Sequence, residues 1–362
     1  MKCINLLISC LLLTGCCGKI GPQCLKYDSM AYNKSVQQSM DSQLLMNIVR
    51  LRYRDTPTFL QIGIMSSAYE LKRNISAELK VTEGGSAHGP MVFIPKVGVD
   101  FIEKPTTTYQ QLRGDNFVKE LLSPIKMSTI AILQTSGWRI DRILRCCVQK
   151  MNGIQNAFTA SSPTPDVMPQ YREFLELCRL FRDVELQNGI DIIGEKEPKS
   201  SHVDYYLVLD GSQVNHSTLN RIWQLLDIEP GTERIRMVPY HGKKHQRDEI
   251  VIDTRSPLNL FYFLSQGVHV PTQHELCGKV TVTADSQGRR FNWDEVLDGI
   301  MTIHSGSENR CDVAAMVNYR GVNFYIDDRD LASKSTFSLV SQLLALQMGA
   351  PDVPILTIPL NN

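Results

Sequence analysis

Two hydrophobic periods run along this chain without settling into a regular strand-helix-strand repeat. Between Trp138 and Met151, the residues Ile140, Ile143, Leu144, Cys147, Val148 and Met151 fall at 0, +3, +4, +7, +8 and +11. That is the spacing of one apolar helix face, and Arg139, Arg142, Arg145 and Gln149 take the other. In contrast, Ile75, Ala77, Leu79 and Val81 alternate with Ser76, Glu78 and Lys80, the period of a half-buried strand. A doubly wound parallel sheet needs the two periods to alternate regularly. Runs of each type predict an α+β fold instead.

The rest of the chain fills in that frame. Residues 17–30 carry Gly18, Gly21 and Pro22 with little periodicity and read as a tether. From Ser35 to Arg54 a stripe of Val36, Met40, Leu44, Leu45, Ile48, Val49 and Leu51 predicts a helix, with Arg50, Arg52 and Arg54 suiting its C-terminal dipole and Thr56-Pro57 ending it. Strand candidates at Phe59–Leu71, Ile75–Val81 and Val97–Phe101 make an antiparallel meander with one wet face. Short helices follow over Asn116–Leu122 and Ser128–Ser136, and another begins near Pro169 and stops at Asn188-Gly189. The polar stretch Gly194 to Ser201 marks a domain boundary. Beyond it, strands are expected at Tyr205–Leu209, Arg234–Val238, Glu249–Asp253, Lys279–Thr283 and Pro354–Leu360. Helices are expected at Leu219–Leu226, from Ser256-Pro257 to a stop at Gly267, at Trp293–Ile303 and at Ser333–Met348. A hairpin turns at Arg320-Gly321. The expected organisation is a leader over 1–15, a tether over 16–34, a helix with meander and helical block over 35–193, and a mixed α+β domain over 202–362.

Composition narrows the function classes. Lys+Arg and Asp+Glu both number 38 in 362 residues, so the chain lacks the basic footprint of a nucleic-acid binder, and no nucleic-acid partner is expected. Hydrophobic residues make up 43%, enough for a packed core. No internal apolar stretch approaches the length of a membrane-spanning helix.

The N-terminus carries the sharpest localisation signal. Lys2 precedes an apolar run from Ile4 to Leu13, too short to span a bilayer as a mature helix, and the run ends in Leu13-Thr14-Gly15-Cys16. This resembles the lipobox of bacterial lipoproteins, an aliphatic residue and two small ones before a cysteine. The resemblance implies a signal peptide over 1–15, a diacylglycerol on the Cys16 thiol, and an acyl group on its new α-amine. Two or three chains anchor firmly where one is marginal. The membrane, reached through the lipid at Cys16, is thus the expected partner, with envelope proteins as further partners. Cys17 stands where an Asp is the inner-membrane retention signal in diderm bacteria. Its presence resembles lipoproteins of the outer membrane, held on the periplasmic side.

Several stretches of the body resemble a family of uncharacterised bacterial envelope lipoproteins. They are Gln43-Leu44-Leu45-Met46-Asn47-Ile48-Val49-Arg50-Leu51-Arg52-Tyr53, Glu120-Leu121-Leu122-Ser123-Pro124, Val322-Asn323-Phe324-Tyr325-Ile326-Asp327-Asp328-Arg329-Asp330-Leu331 and Pro354-Ile355-Leu356-Thr357-Ile358-Pro359. The likeness runs over most of residues 28–360 and implies an envelope location. It brings no reaction, cofactor or catalytic residue with it.

Motifs for nucleotides, dinucleotides, zinc proteases and α/β-hydrolases are absent in their usual forms, and no cofactor is expected. Smaller constellations remain. Asp327, Asp328 and Asp330 in a strand-to-helix loop form a candidate site for a hard cation, or a polar turn in which Asp330 favours the next helix. Tyr240 to Arg247 is a basic loop with His241 and His245, suited to phosphate or anionic lipid. His269, His274, Glu275 and Cys277 match no zinc spacing. Ser123-Pro124-Ile125-Lys126 fits S-x-x-K, but Pro124 interrupts the helix that pattern requires. Cys146, expected on the polar helix side between Arg142 and Lys150, is a candidate reactive thiol, while Cys147 sits on the apolar stripe. Removing the leader and committing Cys16 to lipid leaves Cys17, Cys24, Cys146, Cys147, Cys178, Cys277 and Cys311, an odd set with no disulfide framework evident.

Two functions fit these residues. The first is a non-enzymatic, lipid-anchored structural or accessory component of an envelope assembly. The alternative is an anchored, hydrolase-like enzyme with an unfamiliar site. If Asp327, Asp328 and a histidine line one deep pocket, the enzyme gains.

Overall fold

A computed structural model describes residues 20–80, 92–111, 115–163, 165–196, 203–212, 214–240, 246–306 and 312–348. The chain is α+β and divides into two compact units, one over 1–59 and 113–352 and the other over 60–112 and 353–362. No helix among the described residues is long and apolar enough to cross a membrane.

The first unit opens with helix α1 (Ile20–Arg52), so the helix extends back through the stretch expected to be a tether. Its C-terminal part enters the core: Leu44, Leu45, Ile48, Val49 and Leu51 are buried, whereas Met30 and Met40 are exposed. Asn47 then mimics a strand partner for the chain that follows. Its side-chain amide donates to the Thr58 carbonyl and its oxygen accepts from the Thr58 N–H, both at 2.9 Å.

The second unit contains strands β1 (Leu60–Lys80) and β2 (Val92–Gln111), antiparallel partners in a two-stranded sheet. The three short strand candidates are therefore two long strands. A polar or glycine position interrupts the alternation, but an extended backbone tolerates it.

The first unit resumes with α2 (Asp115–Leu122), α3 (Met127–Thr135) and α4 (Ile140–Cys147). Here the structure corrects the cleanest helical pattern. Helix α4 stops at Cys147, and Val148–Met151 forms strand β3, with β4 (Ile154–Gln155) as its hairpin partner. Val148 and Met151 are buried either way, so apolar spacing over so short a run does not separate the two geometries. Backbone pairing does: β3 is hydrogen-bonded to β8 (Glu249–Thr254), over 100 residues distant.

Next come α5 (Arg172–Leu186), β5 (Ile190–Lys196), β6 (Val203–Leu209), α6 (His216–Leu226) and β7 (Arg234–Pro239). One six-stranded sheet runs in the order β4-β3-β8-β7-β6-β5. The boundary expected at 194–201 falls between β5 and β6, which are antiparallel neighbours in it. That stretch does not divide domains, because main-chain pairing joins elements from both sides of it. Strands β7 and β8 are parallel and so are not joined as a hairpin.

The chain closes with α7 (Pro257–Ser265), α8 (Thr272–Leu276), α9 (Asp294–Leu297), β9 (His304–Gly306), β10 (Val313–Tyr319), β11 (Val322–Asp327) and α10 (Leu331–Met348). Ser256 caps α7 through the Asn259 N–H, with Pro257 at its first position. The expected strand at Lys279–Thr283 is absent, and the helix expected over Trp293–Ile303 is the single turn α9. The β10–β11 hairpin turns at Arg320 (φ 52°) and Gly321 (φ 78°), the two left-handed positions of a type I′ turn. The expected strand Pro354–Leu360 lies outside the described residues, as does Cys16.

Candidate functional site

A cleft of about 810 Å³ in the first unit lies where the start of α5 faces the loop ahead of α9. Its wall is aromatic. Tyr171 meets Phe291 edge-on at 5.6 Å, and Phe291 meets Trp293 at 5.0 Å. Trp293 is held from behind by Nε1–H donation to the Thr283 hydroxyl at 3.2 Å, and that hydroxyl donates to the Pro165 carbonyl.

Charges rim this wall. Asp285 builds a tight turn by accepting from the Gln287 and Arg289 N–H groups at 2.9 Å, and Arg289 Nε returns to it at 2.7 Å. The Arg289 backbone N–H and then its guanidinium hold the Asp285 carboxyl below the usual carboxylate range. Arg290 pairs with Glu275 at 2.5 Å, and Tyr171 donates its hydroxyl proton to Glu295. Burial, reinforced by that carboxylate, pushes the Tyr171 phenol up, which makes it a poor base. No cysteine, histidine, serine or lysine lines the cleft; its wall is of edge-packed aromatic rings, rimmed by guanidinium and carboxylate groups. The sequence reading passed over Arg289-Arg290-Phe291. A basic pair beside an aromatic, one residue past a turn glycine, is the signal that marks it.

The structure disperses the candidates read from sequence. Asp330 caps α10, accepting from the Ser333 N–H at 3.0 Å and from its hydroxyl at 2.5 Å. Asp328 pairs with Lys334 at 2.6 Å, and Asp327 accepts from the Arg329 N–H at 2.9 Å. Among the described residues no three metal-ligating side chains come together, so the cation reading of this loop is corrected to helix capping. We expect Asp330→Ala to lower unfolding free energy by about 1 kcal/mol in urea titrations, and added Ca²⁺ to leave the wild-type midpoint in place.

The histidine group is likewise spread over separate partners. His269 bonds Asp294 at 2.9 Å, Glu275 pairs with Arg290, and Cys277 accepts from Gln273 at 3.4 Å. His274 is buried, 2.6 Å from the Tyr53 hydroxyl, and burial lowers its pKa. Neither Asp327 and Asp328 nor a histidine enters the cleft. His241 and His245 lie outside the described residues.

Cys146 also changes character. It is fully buried, and burial pushes its thiol up to about 11, outweighing Arg142, Arg145 and Arg255 nearby. Lys150 is no longer one turn away, because the helix has already become β3. The reactive-thiol expectation is corrected to a core thiol. In native protein at pH 8, iodoacetamide should modify exposed Cys277 and spare Cys146, Cys147 and Cys178 until denaturant is added, as peptide mass spectrometry would show. Rapid native labelling of Cys146 would contradict this placement.

Comparison of this chain with protein-family models, curated proteins and solved structures finds no match.

Proposed function

We propose that this chain is a lipid-anchored cell-envelope protein with a non-enzymatic, structural or accessory role. The observation that carries the reading is Leu13-Thr14-Gly15-Cys16 at the end of a short apolar leader. With Cys17 next, the favoured location in a diderm host is the periplasmic side of the outer membrane. Two findings favour binding over catalysis. The cleft offers an aromatic wall rimmed by paired charges, and the carboxylates and thiols that suggested chemistry serve as caps, ion pairs or core.

The test is metabolic labelling with a radioactive or alkyne-tagged fatty acid in a bacterial host. Wild type takes up label and fractionates with membranes. Cys16→Ser takes up none and keeps its leader, seen as a heavier band. Equal labelling of the two proteins would sink the proposal.

A further inference from the structure

The second unit holds a feature that an anchored accessory protein does not by itself require. Its two strands, 21 and 20 residues long, pair in register from Leu60↔Gln111 to Lys80↔Val92, with one irregularity between Ile62 and Met65. Among the described residues these strands pair only with each other. In water such a hairpin is marginal.

The far half of the ribbon, Leu71–Lys80 paired with Val92–Phe101, has one mainly apolar and one mainly polar face. One face collects Ile75, Ala77, Leu79, Val97, Val99 and Phe101 in successive cross-strand rows. The opposite face collects Lys72, Asn74, Ser76, Glu78, Lys96 and Asp100, with Lys72 directly across from Asp100. Ten residues at about 3.4 Å each, tilted by about 45°, cover roughly 24 Å, the height of the apolar band of a transmembrane β-barrel. Tyr69, paired with Glu103, follows at one end of the apolar rows, where aromatic girdles stand.

We propose that this half of the ribbon enters a lipid bilayer as one hairpin of a transmembrane β-barrel closed by further copies of the chain. Lipid covers the apolar face, and water in the lumen meets the charged face. Pairing between copies satisfies the edge N–H and C=O groups, which hydrocarbon cannot. Four positions depart from the ideal pattern: Val92 and Ile94 fall on the polar face opposite Lys80 and Glu78, and Arg73 and Pro95 on the apolar one. Arg73 falls on the apolar face one row from the Tyr69 end, where the penalty for a charge declines towards the interface. Pro95 removes a single ladder donor from β2. The inference deepens the membrane reading of Cys16 by giving the chain a second, non-covalent mode of attachment and a permeation path.

The test uses the full chain, purified in detergent and reconstituted into phosphatidylethanolamine–phosphatidylglycerol vesicles loaded with calcein. Wild type should release the dye and give an amine-cross-linked ladder of copies. Ile75→Lys and Ala77→Lys should abolish release, while Asn74→Lys and Ser76→Lys, on the other face, should leave it intact. All four should melt with the wild-type transition of the first unit. Vesicle-bound wild type that holds its dye, or equal effects from both faces, would overturn the proposal. So would a ladder of copies in detergent-free solution with no release from vesicles, which would assign the ribbon to contact between copies in water. Detergent reconstitution brings the chain to the bilayer whether or not Cys16 is acylated, so failure here is separate from failure of fatty-acid labelling.

Discussion

Arg255→Met should lower unfolding free energy by about 4 kcal/mol or more, with a melting temperature lower by on the order of 10 °C. Arg255 is fully buried, yet among the described residues no carboxylate bonds its guanidinium. It serves instead as a polar hub for main chain where α4 ends, sharing the Arg145 and Val148 carbonyls with the Asn156 side-chain amide. Nη1 donates to the carbonyls of Arg145, Cys146 and Val148 at 2.9, 3.1 and 2.8 Å, and Nη2 to that of Asn156 at 2.6 Å. Nε donates to the Ser161 hydroxyl at 2.9 Å, and the guanidinium lies 3.9 Å over the Phe263 ring. Burial draws its pKa down to about 9, so it remains charged at neutral pH. Methionine fills similar volume but leaves the carbonyls where α4 gives way to β3 without this donor, and a buried acceptor that loses its partner forfeits its full desolvation penalty. Arg255→Lys should recover less than half of the loss, because an ammonium cannot reproduce the planar fork. A melting temperature within about 2 °C of wild type for the methionine variant would show that the hub is dispensable.

Gly267→Ala should cost about 3 kcal/mol, more than most single methyl additions. A Cβ at this position would stand 2.4 Å from the Met301 carbonyl oxygen, with the Leu264 carbonyl and Leu297 Cδ1 both at 3.3 Å. That oxygen cannot rotate away as a side chain would. The adjoining chain is pinned, since the Ile303 N–H donates to the Gly267 carbonyl at 2.9 Å and the His269 N–H to that of Ile303 at 2.8 Å. Gly153 is the internal contrast. Its φ is +87° and a Cβ there meets nothing within 4 Å, so Gly153→Ala should cost only the left-handed penalty of about 1 kcal/mol. Urea denaturation of the two variants side by side checks the ranking, and equal losses would contradict the close-approach argument.

These sites show how far local pattern reaches. Helices with caps and stops written into a few adjacent residues were legible: Ser256-Pro257 starts α7, and Ser333–Met348 lies within α10. So was the Arg320-Gly321 hairpin, whose turn chemistry is carried by two residues. The candidate site was not legible. Tyr171 and Phe291 are 120 positions apart, and no spacing rule connects them. Cys146 was read between two cations from helical geometry alone, whereas its reactivity depends on how much water reaches it.

By itself, the sequence determines the α+β class and the amphipathic alternation of residues 75–81 and 97–101, because each follows from period within a few turns of chain. Only the tertiary structure decides that α4 becomes β3, that β5 and β6 are neighbours in one sheet, and that Gly267 is required by a neighbouring carbonyl and not as a left-handed helix stop. The reason is the same in all three: backbone pairing, desolvation and close approach depend on groups that folding brings in from far along the chain, and local periodicity carries no record of them.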